Sequence, residues 1–336
     1  MRSNRFLLLC ILPLLLACGA QEYYPKIKGV SFVASRDSVT VRQIEPVVEL
    51  GANYASVMPY GFIRGTTTPE IIYNTGRQWY GETPAGTKHY IATLQSKQIQ
   101  IMMKPHLWIG RGVFTGEFAP ETEADWQTFE NSYRSYVLEY ARLAEETQSE
   151  ILCIATELEA FTQQRPKFWR ELIKEIRTIY SGALTYAANW DEYQRVSFWE
   201  EMDFIGVDAY FPVCTLETPS VATARAGWQP WKQELAAFAK AKNKPILFTE
   251  YGYRSVNYAG KEPWKADRDM DKVNLEAQNN TLTALYEELW QEPWFAGGFL
   301  WKWFINHDEV GGQENAFFTP QNKPAQKIIT RYYSAQ

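Results

Sequence analysis

Eight short apolar runs punctuate this chain: Ile27 to Val33, Tyr54 to Met58, Ile101 to Lys104, Ile151 to Thr156, Leu184 to Ala188, Phe204 to Ala209, Ile246 to Thr249 and Gly298 to Trp303. Their length and their β-branched and aromatic content read as strands buried on both faces, as in a parallel sheet. Between them apolar residues recur at helical spacing. Phe129, Tyr133, Tyr136, Val137, Tyr140, Ala141 and Ala144 form one stripe, and Phe168, Leu172, Ile173, Ile176 and Ile179 the next. Leu235, Phe238 and Ala239, then Leu275 to Trp290, continue the series. Pro166 and Pro230 stand where a first helical turn accepts proline. Strand then helix, repeated eight times in about 300 residues, predicts a single-domain α/β fold, the (β/α)8 TIM barrel. An open doubly wound sheet would need a glycine-rich phosphate turn after its first strand, and KGVSFVAS has one glycine.

The 336 residues are 46% apolar and 22% charged, enough to bury a large core and unlike a disordered chain. Arg2 and Arg5 precede the apolar run Phe6 to Ala17. That run is shorter than the roughly 20 residues of a membrane span and reads as a signal peptide over residues 1–17. Leu15-Leu16-Ala17-Cys18 resembles the lipobox of bacterial lipoproteins. The expectation is an exported protein with Cys18 as lipid anchor in a bacterial membrane, the outer membrane or cell surface. A linker over 18–25 and a catalytic domain over 26–336 would follow. Loss of two arginines takes the formal charge from −5 to about −7, which leaves no basic stripe for nucleic acid. Cys153 and Cys214 suit neither a zinc site nor a disulfide scaffold, and a bridge between them stays open. His89, His106 and His307 form no HExxH, and no GxSxG elbow occurs, so neither metal nor cofactor is expected.

Glu157 in ILCIATELE and Glu250 in KPILFTEYGYRS each close a predicted strand. A barrel delivers strand ends to one mouth, so two residues this remote in sequence can converge there. Glu157 shares strand parity with Cys153 and Ala155, and Glu250 with Ile246 and Phe248, which predicts both carboxyls facing the axis. Burying a charge costs several kcal/mol, so two inward carboxyls at strand ends point to acid/base work on a sugar bond. At an effective dielectric near 20, two charges ~5.5 Å apart repel by about 3 kcal/mol, or roughly two pKa units. The weaker acid then rises from ~4.3 to about 6 and serves as general acid. Glu82 and Glu159 are rival acids in the same regions.

ATELE around Glu157, LTYAANWD from Leu184, DFIGVDAYFP from Asp203, FTEYGYRS from Phe248 and GFLWKW from Gly298 occur in that order. Together they resemble clan A glycoside hydrolases, and most closely glycoside hydrolase family 113. The resemblance implies Glu157 as acid/base on the fourth strand and Glu250 as nucleophile on the seventh. It implies Tyr210 as donor to the nucleophile and Trp301 as floor of the subsite for the reacting sugar. Most of the clan has Asn before the acid/base; Thr156 stands here, and family 113 is similar in lacking that Asn, so the 2-hydroxyl contact must come from elsewhere. The implied substrate is β-1,4-mannan or manno-oligosaccharide, cleaved internally with retention.

Lys104 and His106 close the third strand, Asn189 with Asp191 the fifth and Asp208 the sixth, and with Trp190 and Trp79 they are expected to bind sugar hydroxyls or faces. Thirteen tryptophans and twenty tyrosines exceed what a core needs, and aromatic faces stack on pyranose rings. Two other readings remain: a retaining hydrolase of another β-linked glycan, such as glucan or glucomannan, and a non-catalytic glycan-binding surface lipoprotein. The anchor is tested by Cys18→Ala, which should move the protein from the membrane pellet to the soluble fraction. Retention in the pellet would refute the lipid attachment.

Overall fold

The computed structural model describes residues 25–265 and 272–335; the predicted signal peptide and the Cys18 anchor lie outside them. Eight parallel strands close into a barrel: β1 (Ile27–Phe32), β2 (Tyr54–Val57), β4 (Gln100–Met103), β6 (Ile151–Thr156), β7 (Ala183–Asn189), β8 (Ile205–Asp208), β9 (Ile246–Tyr251) and β10 (Phe295–Trp303). Each matches one predicted run to within a few residues. Helices on the outside complete the (β/α)8 barrel: α1 (Val41–Glu49), α2 (Pro84–Gln95), α3 (Glu123–Glu146), α4 (Glu159–Gln164), α5 (Pro166–Arg177), α6 (Val221–Lys242), α7 (Leu275–Leu289) and α8 (Pro324–Ser334).

Two further strands, β3 (Tyr60–Ile63) and β5 (His106–Ile109), pair in parallel as a separate ribbon above the barrel mouth. From sequence both fall in irregular loops. Four residues each, they carry too short an alternation to stand out from a loop. Pro166 opens α5 as expected, whereas Pro230 lies inside α6 and not at its first turn. Trp228 and Leu235, buried on either side of Pro230, hold the helix together across the lost backbone bond.

The inside of the barrel is a thin layer drawn from the strands alone: Ile27, Met102, Ile151, Cys153, Ala187, Leu247 and Phe299. Phe299 fits across it because Gly29 faces it; a Cβ there would lie 2.4 Å from the phenyl ring. The larger core lies between strands and helices, where α3 buries its predicted stripe against β6 and α5. Much of the aromatic content is spent here. Trp169, Trp199, Trp228 and Trp303 are fully buried, so the surplus assigned to sugar binding is smaller than expected. Cys153 and Cys214 are both free, which rules out the bridge left open above.

The predicted parity is wrong in its particulars. Ile246, Phe248 and Ala155 pack in the outer core, and Leu247 and Cys153 face the axis. The register of β9 against β8 slips between Val207 and Asp208, so Asp208 pairs with Glu250, and β6 slips against β7 between Cys153 and Thr156. Bulges of this kind re-aim the residue that follows. Both glutamates reach the mouth through such slips and not through unbroken alternation.

Candidate active site

At the centre of the mouth is one buried cation. Lys104, just beyond β4, donates from Nζ to Glu250 Oε1 at 2.5 Å and to Asp208 Oδ1 at 3.2 Å. Thr249 Oγ1 donates to the same Asp208 oxygen at 2.7 Å, and Tyr210 Oη donates to Glu250 Oε2 at 2.8 Å. Glu250 therefore receives a charge-assisted bond on one oxygen and a phenolic bond on the other. Burial alone would lower the Lys104 pKa, but the charges of Asp208 and Glu250 more than offset it and raise it. Asp208 is pushed up to about 7 by burial and by the Glu250 charge, against the help of Lys104 and Thr249. Tyr210 is raised, first by burial and then by Glu250.

Glu157 sits in a different setting. It follows β6 with φ +49°, a left-handed conformation uncommon outside glycine, and its N–H donates to Ala187 O at 2.8 Å. Among the described residues no hydrogen bond to its carboxyl is present. Burial is the largest force raising its pKa well above the ordinary carboxylate range, followed by the charges of Asp208 and Glu250. The expectation from sequence rests on Glu250 alone; desolvation and Asp208 both outrank it.

Glu157 and Glu250 line one cleft of about 510 Å³ together with Asn189, Trp190, Asp191, Tyr210 and Trp301, all expected, and with Phe114, Trp264 and Phe318. Trp190 stacks on Trp264 at 5.2 Å between ring centroids. Trp301, joined to Lys302 by a cis peptide bond, lies nearly parallel to His106 at 6.4 Å. His106 Nε2 is 3.9 Å from Glu250 Oε1, and burial, then Lys104, lowers its pKa well below the usual value, so the ring is neutral.

Three residues expected to bind sugar lie elsewhere than expected. Lys104 and Asp208 are wholly buried and spent on each other and on Glu250, so they stand behind the cleft and position the nucleophile candidate. Trp79 is exposed under the Arg36 guanidinium, 5.4 Å from its ring, and is not part of the cleft wall. The rival acids have other employment. Glu159 pairs with Arg195, and Glu82 accepts from the Trp79 N–H at 3.1 Å.

Sequence reasoning missed the support of Glu157. The Leu158 N–H donates to Tyr186 Oη at 2.8 Å, and Tyr186 donates onward to Glu192 Oε1 at 2.6 Å. Glu192 Oε2 accepts from the Asn189 N–H at 3.0 Å. One buried carboxyl thus ties the Glu157 turn to the Asn189–Trp190 wall. Burial pushes Glu192 up to about 8, against its own hydrogen bonds. An acid three residues after a strand end reads in sequence as a solvated loop residue, and only the neighbouring Tyr186, a polar-tipped ring in a buried strand, could have hinted otherwise. Among the described residues no group of three His, Cys, Asp or Glu side chains is arranged to hold a metal ion.

A family model of glycoside hydrolase family 113 matches residues 34–323. No curated protein matches the chain in sequence. Among solved structures, the family 113 β-mannanase of Alicyclobacillus acidocaldarius, in complex with ManMIm, superposes with a TM-score of 0.80 at 24% identity, over 93% of this chain and 98% of that one. A second family 113 β-1,4-mannanase superposes with a TM-score of 0.80 at 22% identity, over 93% and 100% of the two chains. A β-glucuronidase of Ruminococcus gnavus shares the barrel more loosely, with a TM-score of 0.59 at 14% identity, over 87% of this chain and 46% of that one.

Tyr186→Phe tests the Glu157 support. It strands the Leu158 N–H and the Glu192 carboxyl without their shared hydroxyl, and should cost about 1–3 kcal/mol in a denaturant melt. A melt unchanged within error would show that the relay carries no stability.

Proposed function

This chain belongs to glycoside hydrolase family 113 and is a glycosidase, and on that footing we propose that it cleaves β-1,4-mannan or manno-oligosaccharides internally, with retention, using Glu157 as general acid/base and Glu250 as nucleophile. The observation that carries the reading is the opposite treatment of the two carboxyls in one cleft. Glu250 is held by a cation and a phenol, while Glu157 has no donor among the described residues and is pushed towards its neutral form. Retaining enzymes hold such a pair ≈ 5–5.5 Å apart.

In the first step Glu157 gives its proton to the glycosidic oxygen as Glu250 attacks the anomeric carbon from the opposite face. The leaving sugar departs with that proton, and an ester joins the remaining glycan to Glu250. Esterification removes the Glu250 charge, one of the forces raising the Glu157 pKa, so Glu157 becomes the stronger acid and can serve as base. It takes a proton from water, the water oxygen attacks the anomeric carbon, and the Glu250 carboxylate is released. Lys104 stays bound to Asp208 throughout, so the cation remains in place to receive the returning charge. Trp301 supplies an apolar face for the reacting ring, and Asn189, with its Oδ1 accepting from the Trp190 N–H at 2.8 Å, presents its amide to the cleft. The mannan preference is supported by the family and by the likeness to two β-mannanases. Export and lipid attachment through Cys18 complete the proposal, resting on the signal-peptide and lipobox pattern.

Glu250→Gln should lower turnover of mannan on the order of ten-thousand-fold or more with folding intact. The new reducing end formed by the wild type in the second step should carry the β configuration by NMR before it mutarotates, and an initial α product would end the nucleophile assignment. Asp208→Asn removes a negative charge beside Glu157, which must be protonated to act. The alkaline limb of kcat/KM should therefore move to lower pH, and a limb that stays or moves upward would contradict the charge coupling.

A further inference from the structure

The ribbon of β3 and β5 has one face in the core and one that has no structural reason to be aromatic. Ile63 and Ile109 point down and are buried, and Gly61 lies so close over Ile71 that a Cβ would come within 2.6 Å of it. The alternate residues, Tyr60, Phe62, His106 and Trp108, share the other face, with Tyr60 opposite His106 and Phe62 opposite Trp108 in the register. Trp108 is 60% exposed, the highest exposure among the large hydrophobic side chains of the described residues. A tryptophan this open on a paired strand costs apolar hydration and returns nothing to the fold.

These rings continue the cleft. Trp301 and His106 are stacked at 6.4 Å, His106 and Tyr60 lie 5.2 Å apart, and Tyr60 and Phe62 lie 6.4 Å apart. An aromatic track thus runs from the residue under the reacting sugar out along the ribbon to Phe62 and Trp108. A second observation points to a ligand at its inner end. His106 is only 8% exposed, yet among the described residues its Nε2 has no hydrogen-bond partner. A sugar hydroxyl reaching the ring edge, in the plane of the imidazole and beside Glu250, would satisfy it.

We propose that this aromatic face is an extended binding platform for the substrate itself, on which sugar units beyond the one seated on Trp301 stack in succession, with Trp108 as the outermost contact. The inference rests on the proposed reading of the site as a β-glycan hydrolase and adds where the distal part of the chain goes. The track bears no formal charge on Tyr60, Phe62 or Trp108, so it suits a neutral glycan and not an acidic one. Flat rings offer their faces to the C–H side of pyranoses, and contact of that kind adds affinity with each unit reached.

The test is kcat/KM on β-1,4-manno-oligosaccharides of two to six units for the wild type, Trp108→Ala and Trp108→Phe. Trp108→Ala should lose about ten-fold more on the longest substrate than on the shortest, through KM and not kcat, and Trp108→Phe should recover most of it. A loss equal at every length, or no loss at all, overturns the platform. If the wild type cleaves another β-glycan and not mannan, the sugar assignment fails separately, and the same length series on that glycan decides the platform. A wild type that neither cleaves nor binds any of these oligosaccharides, followed by tryptophan fluorescence, overturns both.

Discussion

A single ammonium group in a dry pocket sets the electrostatics of this molecule. Lys104 reaches the barrel axis with no solvent exposure and meets Asp208 and Glu250, with Glu157 close enough to feel all three. One positive charge cannot neutralise three carboxylates, and their desolvation in a shared site is expensive. Burial and mutual repulsion raise the pKa values of Asp208 and Glu157, and the hydrogen bonds around each carboxyl set them apart. Glu250 has the cation and Tyr210 directly on its oxygens; Glu157 has neither, and burial and the neighbouring charges push its carboxyl towards the neutral form. Two chemically identical side chains thereby stand in opposite settings, one with donors on both oxygens and one pushed towards its neutral form, which is what the proposed double displacement would require.

The barrel supplies the conditions for this division. Its interior is filled by Ile27, Met102, Leu247, Phe299 and their neighbours below the site, which keeps water from reaching Lys104 from underneath. Register slips at the ends of β6 and β9 lift Glu157 and Glu250 out of the alternation that buries Cys153 and Leu247. The left-handed backbone at Glu157 costs energy that a neighbouring network must meet, and the Tyr186–Glu192 relay grips the adjacent Leu158 N–H from the next strand. Because Glu192 also holds the Asn189 N–H, the Glu157 turn and one wall of the cleft are set by the same buried carboxyl.

What could be read from the chain was what depends on repeated pattern. Eight apolar runs separated by helical stripes define a barrel, because each unit has to bury both faces of a strand and one face of a helix. Glu157 and Glu250 stood out because core packing gives no reason for a carboxyl at the end of such a run. Single-residue geometry was not legible. Parity arguments place Ile246 and Phe248 inward, and a one-residue slip reverses that without any mark in the sequence. Lys104 and Asp208 could be located at strand ends but not turned: their side chains go down to the nucleophile candidate and not up to a sugar, a choice fixed by partners on other strands. Trp264, Phe114 and Phe318 reach the cleft from loops, where no periodicity points to them. The β3–β5 ribbon escaped notice because its strands are brief and its aromatic face resembles an ordinary exposed loop.

The central claim is that Glu250 forms the covalent bond to sugar while Glu157 shuttles the proton. Incubating the protein with a 2-deoxy-2-fluoro-β-mannosyl fluoride slows both chemical steps but leaves an excellent leaving group for the first, so the ester accumulates. Peptide mapping by mass spectrometry should then find one added sugar on the peptide containing Glu250. A label on Glu157, Glu82 or Glu159 instead would contradict the account.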